Sequence, residues 1–264
     1  MTDAAEFGPA AAAAMDIADA IIRERMPAVV TAKGDRDMVT DIDVEIERAV
    51  RGYLRQQHPQ IGFMGEEEGS SAPGQHGLRW VLDPVDGTAN FIKGIPLYAI
   101  SLALVSDAEP ILGIIDVPAE STRYSAVLGH GAFCGDCRVE VRRTEELRAA
   151  TVTLGDFAVG ERADFKNRTR LAVNDQLARR ALRVRMLGSA AIDLAWLAHG
   201  RTDAAIIFGG KPWDVAAGVI IVREAGGIVV DAVGSRHTLR SASTIAASPR
   251  LVGQILDVIP RPAV

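Results

Sequence analysis

Apolar positions recur along this chain with two different periods, and the change of period separates its parts. Ile17, Ile21 and Ile22 fall on one side of a turn-of-3.6 pattern from Ala10 to Met26, which predicts an amphipathic helix ended by Pro27. Ile46, Ala49, Val50, Tyr53 and Leu54 repeat that spacing, so a second helix is expected from Thr40 or Asp41 to just before Pro59. Between them Thr31 to Asp37 is polar, holds Lys33-Gly34 and reads as a loop. After the apolar Ile61 to Met64 comes a small-residue loop, Ser70 to Gly77. Trp80 to Leu82 is then a short buried strand, expected to stop at Asp83-Pro84 because proline cannot continue an interior strand. Leu97 to Val105 and Ile111 to Val117 read as paired strands about a turn at 107–110, with Thr122 to Leu128 and Val139 to Val141 as further strands and 129–132 as a turn.

From Thr151 strands and helices alternate. Strands are expected at 151–154, 183–187, 203–207, 228–231 and 244–247, with helices at 161–179, 190–198 and 213–225. Ser248-Pro249 is expected to cap a closing helix. Such alternation predicts helices covering a sheet. The expected organisation is an N-terminal α+β half, 1–150, and a C-terminal α/β half, 151–264, packed as one compact unit.

Composition narrows the class. With 264 residues, 48% of them hydrophobic, the chain can bury a large core. A net charge of −5 argues against a general nucleic-acid surface. No apolar run reaches the ~18 residues of a membrane helix. The alanine-rich start carries Asp3 and Glu6 and lacks a basic region, so it does not read as a signal peptide. Cys134 and Cys137, the two cysteines, read as small residues at a strand or turn in a reducing cytosol. A cytoplasmic metabolic protein is expected.

Three segments carry candidate chemistry. Asp83 and Asp86 emerge at a strand end, followed by Gly87 and Thr88, where free N–H groups at a helix start favour an anion. Gly65-Glu66-Glu67-Glu68-Gly69 is an acidic cluster between glycines. Asp214 follows Pro212-Trp213 in the first turn of a helix, whose dipole favours its ionised form. Asp41 and Asp43 sit at another helix start and read as capping groups, or for Asp43 as a group facing the acidic cluster. Two carboxylates about 4 Å apart repel by about 4 kcal/mol at an effective dielectric of 20. Acids brought together must therefore bind protons or cations, and all-oxygen ligands select Mg²⁺, Mn²⁺ or Ca²⁺. Histidines 58, 76, 130, 199 and 237 all lie outside the three segments, which disfavours zinc. Magnesium also binds substrate phosphate, so a phosphate monoester is the natural partner of such a site, and no Ser–His or Cys–His pairing suggests a protein nucleophile.

In order, the segments read G-E-E at Gly65, W-x-x-D-P-x-D-G-T-x-N-F from Trp80 to Phe91, and W-D-x-A-A-G from Trp213 to Gly218. This set resembles the signature of the inositol monophosphatase family, the Mg²⁺-dependent, lithium-sensitive phosphomonoesterases, from about Lys33 to Pro249. The resemblance implies a layered α-β-α-β-α sandwich, usually a homodimer, for which Arg183, Arg185 and Met186 are candidate interface residues. It implies two or three Mg²⁺, with Mn²⁺ as a substitute. The first would take Glu66, Asp83 and the Val85 carbonyl, the second Asp83, Asp86 and Asp214, and a weaker third Glu66 with Asp43 through water. Thr88 with Asp43 or Glu67 would orient the attacking water, and the N–H groups of Gly87 and Thr88 would hold phosphate. Lys33 matches a family lysine near the metals; alone it reads equally as a solvated lysine.

Substrate selection is expected in the second half. Gly188-Ser189-Ala190 opens a helix, reads as a serine N-cap, and resembles the family's inositol-facing loop. Seven residues before Asp214, where the family carries a ring-binding glutamate, this chain has Ile207, which cannot accept a hydroxyl hydrogen bond. Asp156 is the candidate replacement. Inositol 1-phosphate leads as substrate through the resemblance. Histidinol phosphate, fructose 1,6-bisphosphate and adenosine 3′,5′-bisphosphate are the alternatives. From another class comes a regulatory protein on the same fold that binds RNA polymerase or a partner subunit.

Overall fold

The structure, a computed structural model, describes residues 4–260 apart from Arg36, Pro73, Gln75 and His76. It stacks five layers, α-β-α-β-α. The outer layer pairs α1 (Gly8–Glu24), entered through Pro9, with α2 (Asp41–Gln57). Thr40 caps α2: its backbone N–H donates to Asp43 Oδ2 at 3.0 Å, while the Asp43 N–H lies 3.4 Å from Thr40 Oγ1. Between the helices, β1 (Val30–Gly34) and β2 (Asp37–Thr40) form an antiparallel ribbon where a loop was expected. Every residue of β1 is exposed, so its strand character leaves no hydrophobic alternation in the sequence.

The second layer is a seven-stranded sheet in sequential order. It comprises β3 (Gly62–Gly65), β4 (Leu78–Asp86), β5 (Ala99–Ser106), β6 (Glu109–Val117), β7 (Thr122–Val127), β8 (Gly131–Cys134) and β9 (Cys137–Val139). Only β3–β4 is parallel; the remaining pairs are antiparallel neighbours, β4 and β5 connected through residues 87–98 and the others by short turns. Side chains alternate across it as a two-residue period requires. Trp80, Leu82, Ile100, Leu102 and Leu104 pack under α1 and α2, whereas Val81, Ala99 and Ala103 face the opposite way. The expected turn at 129–132 overlaps the start of β8, and β9 lies two residues earlier than expected, because Gly135 at φ 56° lets the chain reverse between the cysteines. Part of the expected loop at 70–77 lies outside the described residues.

Helices α5 (Ala190–Ala198) and α6 (Pro212–Glu224) form the middle layer, apolar on nearly all sides because sheets cover both faces. The fourth layer is a five-stranded sheet of β10 (Thr151–Leu154), β11 (Arg183–Arg185), β12 (Ala204–Phe208), β13 (Ile228–Val230) and β14 (Ser243–Ala247), in the order β11-β10-β12-β14-β13. On β12, Ala205 and Ile207 face the middle layer; Ala204 and Ile206 face the outer helices α4 (Ala163–Arg180) and α7 (Val252–Leu256). The expected cap at Ser248 is corrected. Its hydroxyl donates to the Thr144 carbonyl at 3.0 Å, and α7 begins only at Val252, after a turn.

Candidate active site

The end of β4 delivers two aspartates to one place. The strand does not stop at Pro84, as expected, but runs to Asp86. Pairing with β5 is regular to Asp83↔Ser101 and resumes at Asp86↔Ala99, so Pro84 sits in an irregularity. On the other side β3 has already ended at Gly65↔Leu82, and the missing proline N–H costs no ladder bond. Val85 is the pivot. Its N–H donates to Asp83 Oδ1 at 3.1 Å, and its carbonyl accepts from Thr88 Oγ1 at 2.9 Å. Gly87 precedes α3 (Thr88–Ile92) at φ +91°, and a Cβ there would stand 2.9 Å from the Leu97 carbonyl and 3.1 Å from that of Gly188. Only glycine lets this turn approach the second half of the chain so closely.

Residues 188–191 meet that turn. Asp86 Oδ2 accepts from Ser189 Oγ and, at 2.6 Å, from the Ala191 N–H. Ser189 Oγ in turn accepts from the Ile192 N–H at 3.2 Å, so it caps α5 while holding Asp86. Asn90 ties the same junction, donating to the Leu97 and Leu187 carbonyls at 2.7 and 2.8 Å. Asp214, three residues into α6, accepts from the Lys211 N–H at 2.7 Å.

The Gly65–Gly69 loop comes in from β3. Lys33, on the ribbon, donates to Glu66 at 2.6 Å and Glu67 at 3.0 Å. Underneath lies a residue the sequence did not single out. Glu47 of α2 is 0% exposed, and its carboxylate accepts from the N–H groups of Glu67 at 2.8 Å and Glu68 at 2.9 Å, with Arg51 paired at 2.6 Å. A Cβ on Gly65 would fall 2.2 Å from that carboxylate carbon. A charged residue at a core-facing helical position, on the stripe of Ile46, Val50 and Leu54, was the available signal.

Electrostatics mark the cluster as strained without a counter-ion. Asp83 is 2% exposed, and burial first, then Glu66, Asp86, Asp214 and Asp43, push its pKa well above the carboxylate range. Asp86 is raised to about 6 by burial, against the hydrogen bonds from Ser189 and Ala191. Asp214 is raised to about 7 by burial and Asp86. Asp43, 1% exposed, is raised to about 6, and Glu67 to about 7, each by burial first. Among the described residues no three acidic, histidine or cysteine side chains form a ready-made cation cage. The Lys33 ammonium occupies the place of a counter-ion at Glu66 and Glu67 instead. The donor set, all oxygen with mutually repelling buried acids, fits a hard divalent cation.

Beside the acids opens a cleft of about 300 Å³. Asp86, Asp214, Gly188, Ser189, Ala190, Asp156 and Ile207 all line it, so the expected substrate loop and the expected replacement acid share one cavity with two of the candidate ligands. Ile207 closes it with an apolar surface. Arg183 and Arg185, on the edge strand β11, and Met186 are exposed and lie outside this cleft.

A five-layer sandwich with acids from β4, the β3–β4 loop and the start of α6 gathered at one edge defines the layered phosphatase architecture that the motifs implied. Comparison with known proteins agrees. The model of the inositol monophosphatase family matches residues 3–259, and the chain belongs to that family. It is 40% identical over 251 residues to the "Probable inositol 1-monophosphatase ImpA" of Mycobacterium tuberculosis, covering 94% of this chain and 92% of that protein. It is 37% identical over 234 residues to the Nus factor SuhB of Pasteurella multocida, covering 87% and 85%. Among solved structures, the extragenic suppressor protein suhB from Bartonella henselae superposes with a TM-score of 0.89 at 30% identity, covering 98% of this chain and 100% of that one.

Proposed function

We propose that this chain is a Mg²⁺-dependent phosphomonoesterase acting on small polyol or sugar phosphates, with inositol 1-phosphate the first substrate to test. The observation carrying this reading is the convergence of acids from three segments: burial and the charges of Glu66, Asp86 and Asp214 raise Asp83, burial and Asp86 raise Asp214, and Asp86 and Asp214 line a cleft. Two or three Mg²⁺, or Mn²⁺ in their place, would be held by Glu66, Asp83, the Val85 carbonyl, Asp86 and Asp214, with Asp43 behind. Bound there, the cations would polarise phosphoryl oxygens, acidify a water and stabilise the leaving oxygen.

The chain's own groups do the rest. The Gly87 and Thr88 N–H groups, at the start of α3, would receive the phosphate. Thr88 Oγ1, held by the Val85 carbonyl, and Glu67 or Asp43 orient water. Residues 188–190 and Asp156 meet the leaving alcohol. Lys33 must release Glu66 and Glu67 when a cation takes its place. The same reading assigns a cytoplasmic homodimer.

The test is phosphate release from inositol 1-phosphate, histidinol phosphate, fructose 1,6-bisphosphate and adenosine 3′,5′-bisphosphate, with Mg²⁺ and with EDTA. Turnover that EDTA abolishes supports the reading; no turnover of any monoester with Mg²⁺ overturns it. A second reading, a regulatory partner protein, is favoured by the relatives that carry the name Nus factor SuhB. Loss of turnover in the full metal set would turn the assignment that way.

A further inference from the structure

The cleft contains a guanidinium that is in no ion pair among the described residues. Arg170 of α4 is 7% exposed and lines the same cavity as Asp86 and Asp214. Its Nε donates to the Asp156 carbonyl at 3.1 Å and its Nη2 to the Phe208 carbonyl at 2.5 Å. The guanidinium carbon stands 5.6 Å from the Phe208 ring centroid. Among the described residues no carboxylate lies within ion-pair distance of it, and it is the one cation among the described residues that line the cleft.

That arrangement is unusual on physical grounds. A buried charge without a counter-charge is costly, and arginine left this way is normally paired. Burial alone pulls the Arg170 pKa down, with no acid offsetting it. The two carbonyls fix the plane of the fork and leave Nη1 without a described partner. A planar fork with free donors is the geometry that receives carboxylate or phosphate oxygens. The other acids of the cleft, Asp156 and Asp193, form no ion pair with it among the described residues. Burial raises Asp156, and Asp193, which is 1% exposed with Oδ1 unpartnered, is raised well above the carboxylate range by burial and Asp86. Ile207, which lines the same cavity, offers a hydroxyl nothing.

We propose that Arg170 reads a second anionic group on the leaving portion of the substrate, so that this chain selects a polyol or sugar phosphate bearing a further phosphate or carboxylate over a neutral polyol phosphate. This rests on the phosphomonoesterase reading above.

The experiment compares kcat/KM of the Mg²⁺-loaded wild type for inositol 1-phosphate, a ketohexose 1,6-bisphosphate, a phosphorylated hydroxy acid and an amino-alcohol phosphate. Arg170→Met and Arg170→Gln are measured beside it. Gln keeps a donor for one of the two carbonyls, and circular dichroism confirms that each variant folds. The bis-anionic compounds should exceed inositol 1-phosphate by about tenfold or more, and both variants should remove that advantage through KM. Inositol 1-phosphate turnover should stay within about threefold. The bisphosphate and hydroxy-acid arms separate a phosphate from a carboxylate. Equal losses on every substrate would make Arg170 a structural tether and overturn the proposal, as would a preference for the amino-alcohol phosphate removed by Asp156→Asn.

If no compound is turned over, the phosphomonoesterase reading fails separately. The proposal is then decided by thermal stabilisation of the Mg²⁺-loaded protein by the same compounds. A larger Tm rise with the bis-anions, lost in Arg170→Gln, sustains it; equal rises refute it.

Discussion

Replacing Glu47 by glutamine tests whether a buried carboxylate, remote from substrate, sets the geometry of the acidic loop. The wild-type carboxylate is fully buried and accepts three bonds, from Glu67 N–H, Glu68 N–H and Arg51, at 2.8, 2.9 and 2.6 Å. Glu47→Gln leaves one acceptor oxygen and turns an amide N–H₂ toward groups that are themselves donors. One charge-assisted hydrogen bond is lost, worth about 1.5–3 kcal/mol. Removing one partner of a buried pair costs about 3–5 kcal/mol. The lower end applies because Arg51 keeps its bond to the Gly69 carbonyl at 2.9 Å and its side chain is 24% exposed. A net loss of about 2–4 kcal/mol is expected, read as a lower urea midpoint at unchanged slope. If about 1.4 kcal/mol of this is loop order that Glu66 and Glu67 need, Mg²⁺ affinity falls about tenfold. Urea unfolding followed by tryptophan fluorescence and Mg²⁺ titration by calorimetry read the two separately. A destabilised variant with wild-type Mg²⁺ affinity would refute the positioning role, and an unchanged midpoint would refute the packing argument.

Other outcomes follow from the same geometry. Asp83→Asn should lower kcat on the order of a hundredfold or more while leaving Tm unchanged or higher, since a neutral amide relieves repulsion among buried acids; turnover near wild type would contradict the ligand assignment. Gly87→Ala forces a side chain into φ +91° and against two carbonyls, so a loss of about 1–3 kcal/mol is expected in thermal unfolding, together with lost turnover. Asp43 and Asp86, near 6, and Glu67 and Asp214, near 7, hold protons in the metal-free fold that the unfolded chain has released. Their contribution to stability is therefore present below about pH 4 and lost as pH rises through about 6 to 7. Mg²⁺ competes with those protons, so the Tm rise produced by Mg²⁺ should grow from pH 5 to pH 7; a rise independent of pH would contradict it.

What could be read in the sequence depended on whether local pattern or distant contact set the outcome. The helix at 190–198 follows from Ser189 and an apolar run, and the acids of the three motifs announce themselves by glycine, proline and tryptophan neighbours at fixed spacing. The β1–β2 ribbon had no such signal, because an exposed polar strand is indistinguishable from a loop. Pro84 misled for the opposite reason. A proline that ends an interior strand is tolerated where the neighbouring strand has already stopped, and strand lengths are set by partners rather than by the strand itself. Ser248 looked like a cap, yet its hydroxyl is claimed by Thr144, 104 residues earlier in the chain. For Asp43 spacing favoured a cap and the resemblance a role at the acids; in the fold it closes the capping box, and the charge of Glu66 is among the influences that raise it. Glu47 and Arg170 were invisible to motif reading. Each draws its meaning from a cavity or a loop assembled by other segments.

In the proposed site, acids from three segments share divalent cations. Calorimetric titration of Mg²⁺ into the protein near pH 6.5, repeated in two buffers of different ionisation enthalpy, measures both uptake and protons displaced. Saturable binding with net proton release, both diminished in Asp83→Asn, is the predicted result. Absence of binding, or binding with no proton released and no change in Asp83→Asn, would contradict it.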